Sequence, residues 1–148
     1  MTVRAVILAV GKVKPPGLRE VIDEYLTRVR RNLAVDEIEI RDGKGSEVAA
    51  AARRRIPDGA RVVALDAGGQ RLDSSGFARW LERRGSEGKG TVVFVIGGAD
   101  GLPREVRALC AEALSLSQMT FPHRIARLLL AEQLYRAMAI LRGEPYAK

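Results

Sequence analysis

Five short apolar runs rich in Val and Ile are separated by stretches whose apolar residues recur every three or four positions. No other feature constrains the fold of this chain as tightly. A run of four to eight apolar residues bounded by turn signals reads as a strand, and a 3.6-residue recurrence reads as a helix. The runs are VRAVILAV (3–10), VDEIEI (35–40), RVVALD (61–66), TVVFVI (91–96) and ALSLS (113–117). Between the first two, Pro15 and Pro16 open a helix with Leu18, Val21, Ile22, Tyr25 and Val29 on one face. Ser46 is the expected N-cap of the next helix, which reaches Ala52 and closes on Arg53, Arg54 and Arg55, cations that complement its C-terminal dipole. AGGQRLDSS reads as a long turn before a helix carrying Phe77, Trp80 and Leu81. Pro103 suits the first turn of a helix running to about Glu112, and Pro122 starts the last helix, which ends at Gly143.

Strands that alternate with helices predict an α/β fold: one domain over residues 1–148, with a five-stranded, mostly parallel sheet flanked by helices. Such sheets bind ligands outside the carboxyl ends of their strands. Those ends are Leu65-Asp66, Gly97-Gly98 and Leu116-Ser117. The usual occupants do not fit. The first strand ends in AVGKVKPP, without the G-x-G-x-x-G of a dinucleotide site, and no Walker A loop or G-x-S-x-G elbow is present. One His and one Cys cannot build a Cys/His metal cage, so no metal is expected. Cys110, in the helical pattern VRALCAEAL, reads as a small buried apolar residue, and a lone thiol fits a reducing cytoplasm. The apolar run from Ala5 to Val10 is too short for a signal peptide, and nothing approaches the roughly 20 apolar residues of a membrane span.

Charge narrows the partner. Lys and Arg number 25 against 18 Asp and Glu, for a net charge of +7. A basic, arginine-rich surface suits a polyanion, nucleic acid above all. Aromatics are only 5% of the chain, too few for a base-stacking platform, so affinity must come mainly from phosphates. The last helix, FPHRIARLLLAEQLYRAMAI, is apolar over most of its circumference, with Arg127 and Gln133 as polar breaks. A helix apolar nearly all round is covered on more than one side, and a second subunit is the expected cover.

The stretch VIGGADGLP, then ALSLSQMTFPHRIARLLLAEQLYRA, then GEPYAK, closely resembles the RlmH family of SPOUT methyltransferases. AVGKVK and VVALDAGGQRLDSS extend the resemblance over nearly the whole chain. It implies a SPOUT-type fold with a C-terminal trefoil knot. It also implies a homodimer that transfers a methyl group from S-adenosylmethionine to N3 of a pseudouridine in 23S ribosomal RNA, within the ribosome or its large subunit. By the same resemblance Leu65, Gly97, Leu116, Ser117, Gln118, Met119, Thr120 and Phe121 hold the cofactor. His123, Arg136 and Tyr146 belong to the catalytic region. His123 opens the last helix, where the positive dipole end favours a neutral imidazole able to accept a proton. The family commonly ends Tyr-His-basic, whereas this chain ends Tyr146-Ala147-Lys148, which shifts weight to His123 and Tyr146. The alternative reading is a non-catalytic, ribosome-associated RNA-binding protein that keeps the fold.

Overall fold

A computed structural model describes residues 3–87 and 89–147. Five parallel strands, β1 (Arg4–Val10), β2 (Ala34–Ile40), β3 (Arg61–Arg71), β4 (Thr91–Ile96) and β5 (Glu112–Ser115), lie in the order β2-β1-β4-β3-β5. The helices are α1 (Pro16–Val29), α2 (Gly45–Arg55), α3 (Ser74–Ser86), the single turn α4 (Arg104–Arg107) and α5 (His123–Leu141). A 3-10 turn, Pro145–Ala147, follows.

The sheet is buried on both faces, which is why its central strands are continuously apolar rather than alternating. Ala5, Ile7 and Ala9 of β1 and Val92, Phe94 and Ile96 of β4 point into one core with α1, α3 and α5. Val6, Leu8, Val10, Val93 and Val95 point into the other, with α2 and α4. Trp80 and Phe94, each at most 1% exposed, lie 5.9 Å apart in the first core.

The expected elements all form, with four differences. β3 runs five residues past Asp66, through the stretch expected as a turn. Its pairing with β5 breaks between Leu65 and Gln70, and a Cβ on Gly69 would stand 2.7 Å from the Ala113 carbonyl carbon. Glycine there lets the two backbones close up, so it prolongs the strand instead of ending it. α2 starts at Gly45 with Lys44 as N-cap, and Glu47 Oε1 accepts the Lys44 N–H at 3.2 Å, so Ser46 lies inside the first turn. α4 stops at Arg107 rather than near Glu112. The chain must already be extended there, because the Ala111 N–H donates to Val62 O at 2.8 Å and Glu112 is drawn toward Trp80, Arg61 and Arg84. Cys110 is half-buried rather than fully buried, and burial pushes its thiol pKa up.

α5 also departs from expectation. Leu130, Ala131, Leu134, Ala137 and Met138 are buried within the chain, between α1, α3 and the sheet, and Ala139 is buried as well. Arg127, expected as a polar break, is fully buried. Much of the apolar circumference is therefore covered without a second subunit.

Candidate active site

β4 delivers Ile96 into a glycine turn built by the chain's own backbone. A Cβ on Gly97 would sit 2.6 Å from the carbonyl carbon of Gly101 and 2.7 Å from Leu102 N. Gly101 has φ +84°, and its N–H donates to Gly98 O at 3.0 Å, closing the turn. The turn folds back across the end of β4 and forms one wall of a cavity of about 540 Å³.

The opposite wall is the 116–122 connection between β5 and α5. It is braced by Ser115 Oγ donating to Ser117 O at 2.8 Å and by Met119 N–H donating to Ser117 Oγ at 3.0 Å. Of the residues expected to hold a cofactor, Leu65, Gly97, Leu116, Ser117, Met119, Thr120 and Phe121 line this cavity. Gln118 is exposed and does not. Met119 and Phe121 are 75% and 36% exposed, large apolar groups held at the mouth rather than in the core. The residue-level reading passed over Asp66 and Arg107, which also line the cavity. Asp66 was marked as a strand end; its Oδ1 accepts the Gly68 N–H at 3.1 Å.

His123 stands on the same cavity, half-buried, as the first residue of α5 after the N-cap Pro122. Burial lowers its pKa below the ordinary histidine value, and the guanidinium groups of Arg127 and Arg124 lower it further against the opposing pull of Asp42. The imidazole is thus held neutral at its cavity position. One turn deeper, Arg127 donates to Gly11 O at 3.0 Å and to Glu37 at 3.1 Å, and it also pairs with Glu39. Arg19 of α1 shares Glu37 at 2.6 Å. Through Arg127 the start of α5 is tied to the ends of β1 and β2.

Arg136 and Tyr146 are placed elsewhere. Thirteen residues of helix separate His123 from Arg136, about 20 Å along the axis. Both groups converge on Glu132 Oε2, which accepts from Arg136 Nη2 at 2.7 Å and from Tyr146 Oη at 2.8 Å. The Tyr146 ring meets Tyr135 edge-on at 4.7 Å, with Arg136 over its face at 5.0 Å. Burial and the Glu132 carboxylate raise the Tyr146 pKa, so its hydroxyl keeps its proton. Within one chain, therefore, His123 and the residues expected to hold a cofactor come together, whereas Arg136 and Tyr146 form a second cluster. Lys148 lies outside the described residues.

The cavity suits a small nucleoside ligand. Its volume falls within the roughly 300–1,000 Å³ of small-molecule sites. Leu65, Ile96, Leu102 and Leu116 offer an apolar slot, Gly97 leaves backbone accessible, and Asp66 and the Ser117 hydroxyl supply polar contacts at its edge. No group of three or more His, Cys, Asp or Glu suited to a metal ion occurs among the described residues, and no described helix is long and apolar enough to cross a membrane.

Residues 3–147 match the family model described as "Predicted SPOUT methyltransferase". A protein of Sorangium cellulosum (strain So ce56) named ribosomal RNA large subunit methyltransferase H is 56% identical over 144 residues, covering 97% of this chain and 99% of the relative. A protein of the same name from Hyphomonas neptunium (strain ATCC 15444) is 43% identical, over 98% of this chain and 99% of its own length. Among solved structures, the SpoU methyltransferase AviRb from Streptomyces viridochromogenes, in complex with AdoMet, superposes with a TM-score of 0.52 at 17% identity. That match covers 90% of this chain and 57% of AviRb. A probable methylase family protein from Haemophilus influenzae Rd KW20 gives 0.53 at 13% identity, over 99% of this chain and 70% of the other. At these identities the structures speak for the fold alone.

Proposed function

The chain belongs to the SPOUT methyltransferase family, and from that premise we propose that it methylates N3 of a pseudouridine in 23S ribosomal RNA, with S-adenosylmethionine as methyl donor. The observation that carries the reading is one cavity, between Leu65 and Asp66 of β3 and the carboxyl end of β4, lined together by Leu65, Gly97, Leu116, Ser117, Met119, Thr120, Phe121 and His123. The non-catalytic alternative is not favoured, because the 56% identical relative is named as a methyltransferase.

The cofactor, once bound, supplies an already activated methyl group, and the protein's task is chiefly placement. Leu65, Leu116, Met119 and Phe121 exclude water and hold the flat apolar part of the ligand. Gly97 and Ser117 offer backbone and hydroxyl hydrogen bonds. Alignment of nucleophile and methyl is worth effective molarities on the order of 10⁵–10⁸ M in well-oriented systems. N3 of the base carries a proton that must leave, and the neutral His123 imidazole at the cavity wall is the acceptor we assign. Asp66 orients the polar part of the ligand.

We further propose that the active unit is a homodimer in which Arg136 and Tyr146 of one protomer reach the cavity of its partner, since about 20 Å of helix separates Arg136 from His123 within one chain. Ile125 and Leu129, four residues apart and half-buried on α5, share one face of the helix, and this stripe is the surface we assign to the contact. The family's trefoil knot belongs to the same proposal. It is supported by the way segments 97–102 and 116–122, on either side of β5, converge on one cavity.

The deciding experiment pairs calorimetry of S-adenosylmethionine binding with primer-extension mapping of ribosomal RNA from a deletion strain complemented by this chain. A restored stop at one large-subunit pseudouridine is the expected result. Cofactor binding without any restored stop would refute the assigned target.

A further inference from the structure

Among the described residues eight arginines, Arg19, Arg84 and Arg127 among them, face a carboxylate within 4 Å. Five cations at the carboxyl edge of the sheet form no such pair among the described residues. Lys12 and Lys14 lie on the β1–α1 connection, Arg41 and Lys44 on the β2–α2 connection, and Arg124 in the first turn of α5, and all five are exposed.

Strand register brings them together. The Gly11 N–H donates to Ile40 O at 2.8 Å, which continues the Val10–Ile40 register and sets Gly11 opposite Arg41, so the connections that carry Lys12 and Arg41 leave the sheet side by side, about 5 Å apart at the backbone. Ala9 pairs with Ile96, which sets Gly11 beside the Gly97–Gly98 turn of the cavity. Arg127 ties Gly11 O to α5, and Arg124, one turn earlier, itself lines the cavity. Asp42 lies on the β2–α2 connection among these cations, and Asp100 on the β4–α4 turn. Asp42 lies at the cavity end of this row: its Oδ1 accepts the Gly43 N–H at 2.8 Å, and its Oδ2 lies 3.1 Å from where a Gly98 Cβ would be. The rim therefore keeps a net positive charge, five solvated cations against Asp42 and the Glu47 carboxylate at the Lys44 N–H, and it leads to the mouth of the cavity.

We propose that Lys12, Lys14, Arg41, Lys44 and Arg124 form the docking surface for the sugar-phosphate backbone flanking the target nucleotide. This inference rests on the reading of the chain as an RNA methyltransferase and adds where the RNA lies. Cations already paired with carboxylates within the fold displace few counterions on binding, whereas cations without such a pair displace them from the phosphates they meet. Phosphate contacts of this kind set register and orientation, and base identity is read inside the pocket. The other large basic cluster, Arg53, Arg54 and Arg55, sits at the far end of α2, about 15 Å from Lys44, and serves as the internal control.

The test uses the full chain and large ribosomal subunits lacking the modification. A Lys12→Gln, Lys14→Gln, Arg41→Gln, Lys44→Gln variant should raise KM about 10- to 100-fold, leave kcat within about threefold, and reduce the salt slope of binding by roughly 3, at 0.7–0.9 per contact. Its S-adenosylmethionine affinity and Tm should match wild type, since all four side chains are solvated. Arg124 is left intact because it lines the cavity. The variant with Arg53, Arg54 and Arg55 changed to Gln should keep wild-type KM and salt slope. The proposal is overturned if the rim variant keeps both, or if the Arg53–Arg55 variant loses as much. A wild-type protein that transfers no methyl to ribosomal RNA would defeat the functional reading instead. The rim is then judged by filter binding of 23S RNA, where the same two variants must separate.

Discussion

At the residue scale the decisive pair is His123 and Arg127, one helical turn apart. In the sequence His123 marks a helix start and Arg127 a polar break in an otherwise apolar helix. The structure instead buries Arg127 completely and makes it one cause of the low His123 pKa. A base must be neutral to act, so the acidic limb of the methylation rate should lie below pH 6.5, the ordinary value. Arg127→Met removes one of the charges that lower the pKa and should move that limb upward, whereas Arg127→Lys keeps the charge and should leave it in place. Both lose the buried guanidinium that bridges Glu37, Glu39 and Gly11 O. Breaking a buried pair costs roughly 3–5 kcal/mol, and Arg19, still 2.6 Å from Glu37, keeps the loss near the lower figure. A limb that moves equally in both variants would assign the effect to packing rather than charge. The same shift sets a stability trend. Folded His123 resists protonation, so it withdraws stability as pH falls below its unfolded value.

Among the elements, β5 depends on a single carboxylate. Glu112 accepts from Arg61 Nε at 2.6 Å, Trp80 Nε1 at 3.1 Å and Arg84 Nε at 3.2 Å. Burial pushes its pKa up, but these hydrogen bonds outweigh burial and hold it below the usual carboxylate range. Glu112→Gln should cost about 1–3 kcal/mol in chemical denaturation at pH 7. For wild type, Glu112's contribution is present above its unfolded pKa and is lost as pH falls through the folded one. An unchanged unfolding midpoint in Glu112→Gln would mean that the three donors find water instead. Glu112 also marks what the sequence could and could not reveal. β1 and β4 were legible almost to the residue, because strands buried on both faces are unbroken Val and Ile. The end of α4 was not, since helical periodicity continues through Leu109 and Cys110 and only pairing with β3 overrides it. Gly68 and Gly69 misled for a related reason: their role is an approach to the Ala113 backbone, invisible along the chain. The cavity wall was legible through a long motif, while Asp66, one strand-end acid among several, carried no local signal.

For the whole molecule the open question is assembly. Leu134 is fully buried in its own chain, so it cannot probe a subunit contact cleanly. Leu129→Asp, on the half-buried stripe, should shift sedimentation from dimer to monomer and lower methylation at least about 10²-fold, because Arg136 and Tyr146 would no longer reach a partner's cavity. A monomeric variant with full activity would show that one chain suffices. The strand order has a consequence for how the chain is made. Apart from β1 and β2, no strand can take its final neighbour until residues 91–96 exist, since β4 is inserted between β1 and β3. Translation delivers the N-terminus first, at about 5–20 residues per second. For some seconds after β3 leaves the ribosome, its Val62 and Val63 have no partner on either edge. A chain paused near residue 90 would present a bare, aggregation-prone strand, so the timing of synthesis around that codon, and the chaperones waiting there, govern the yield of folded protein.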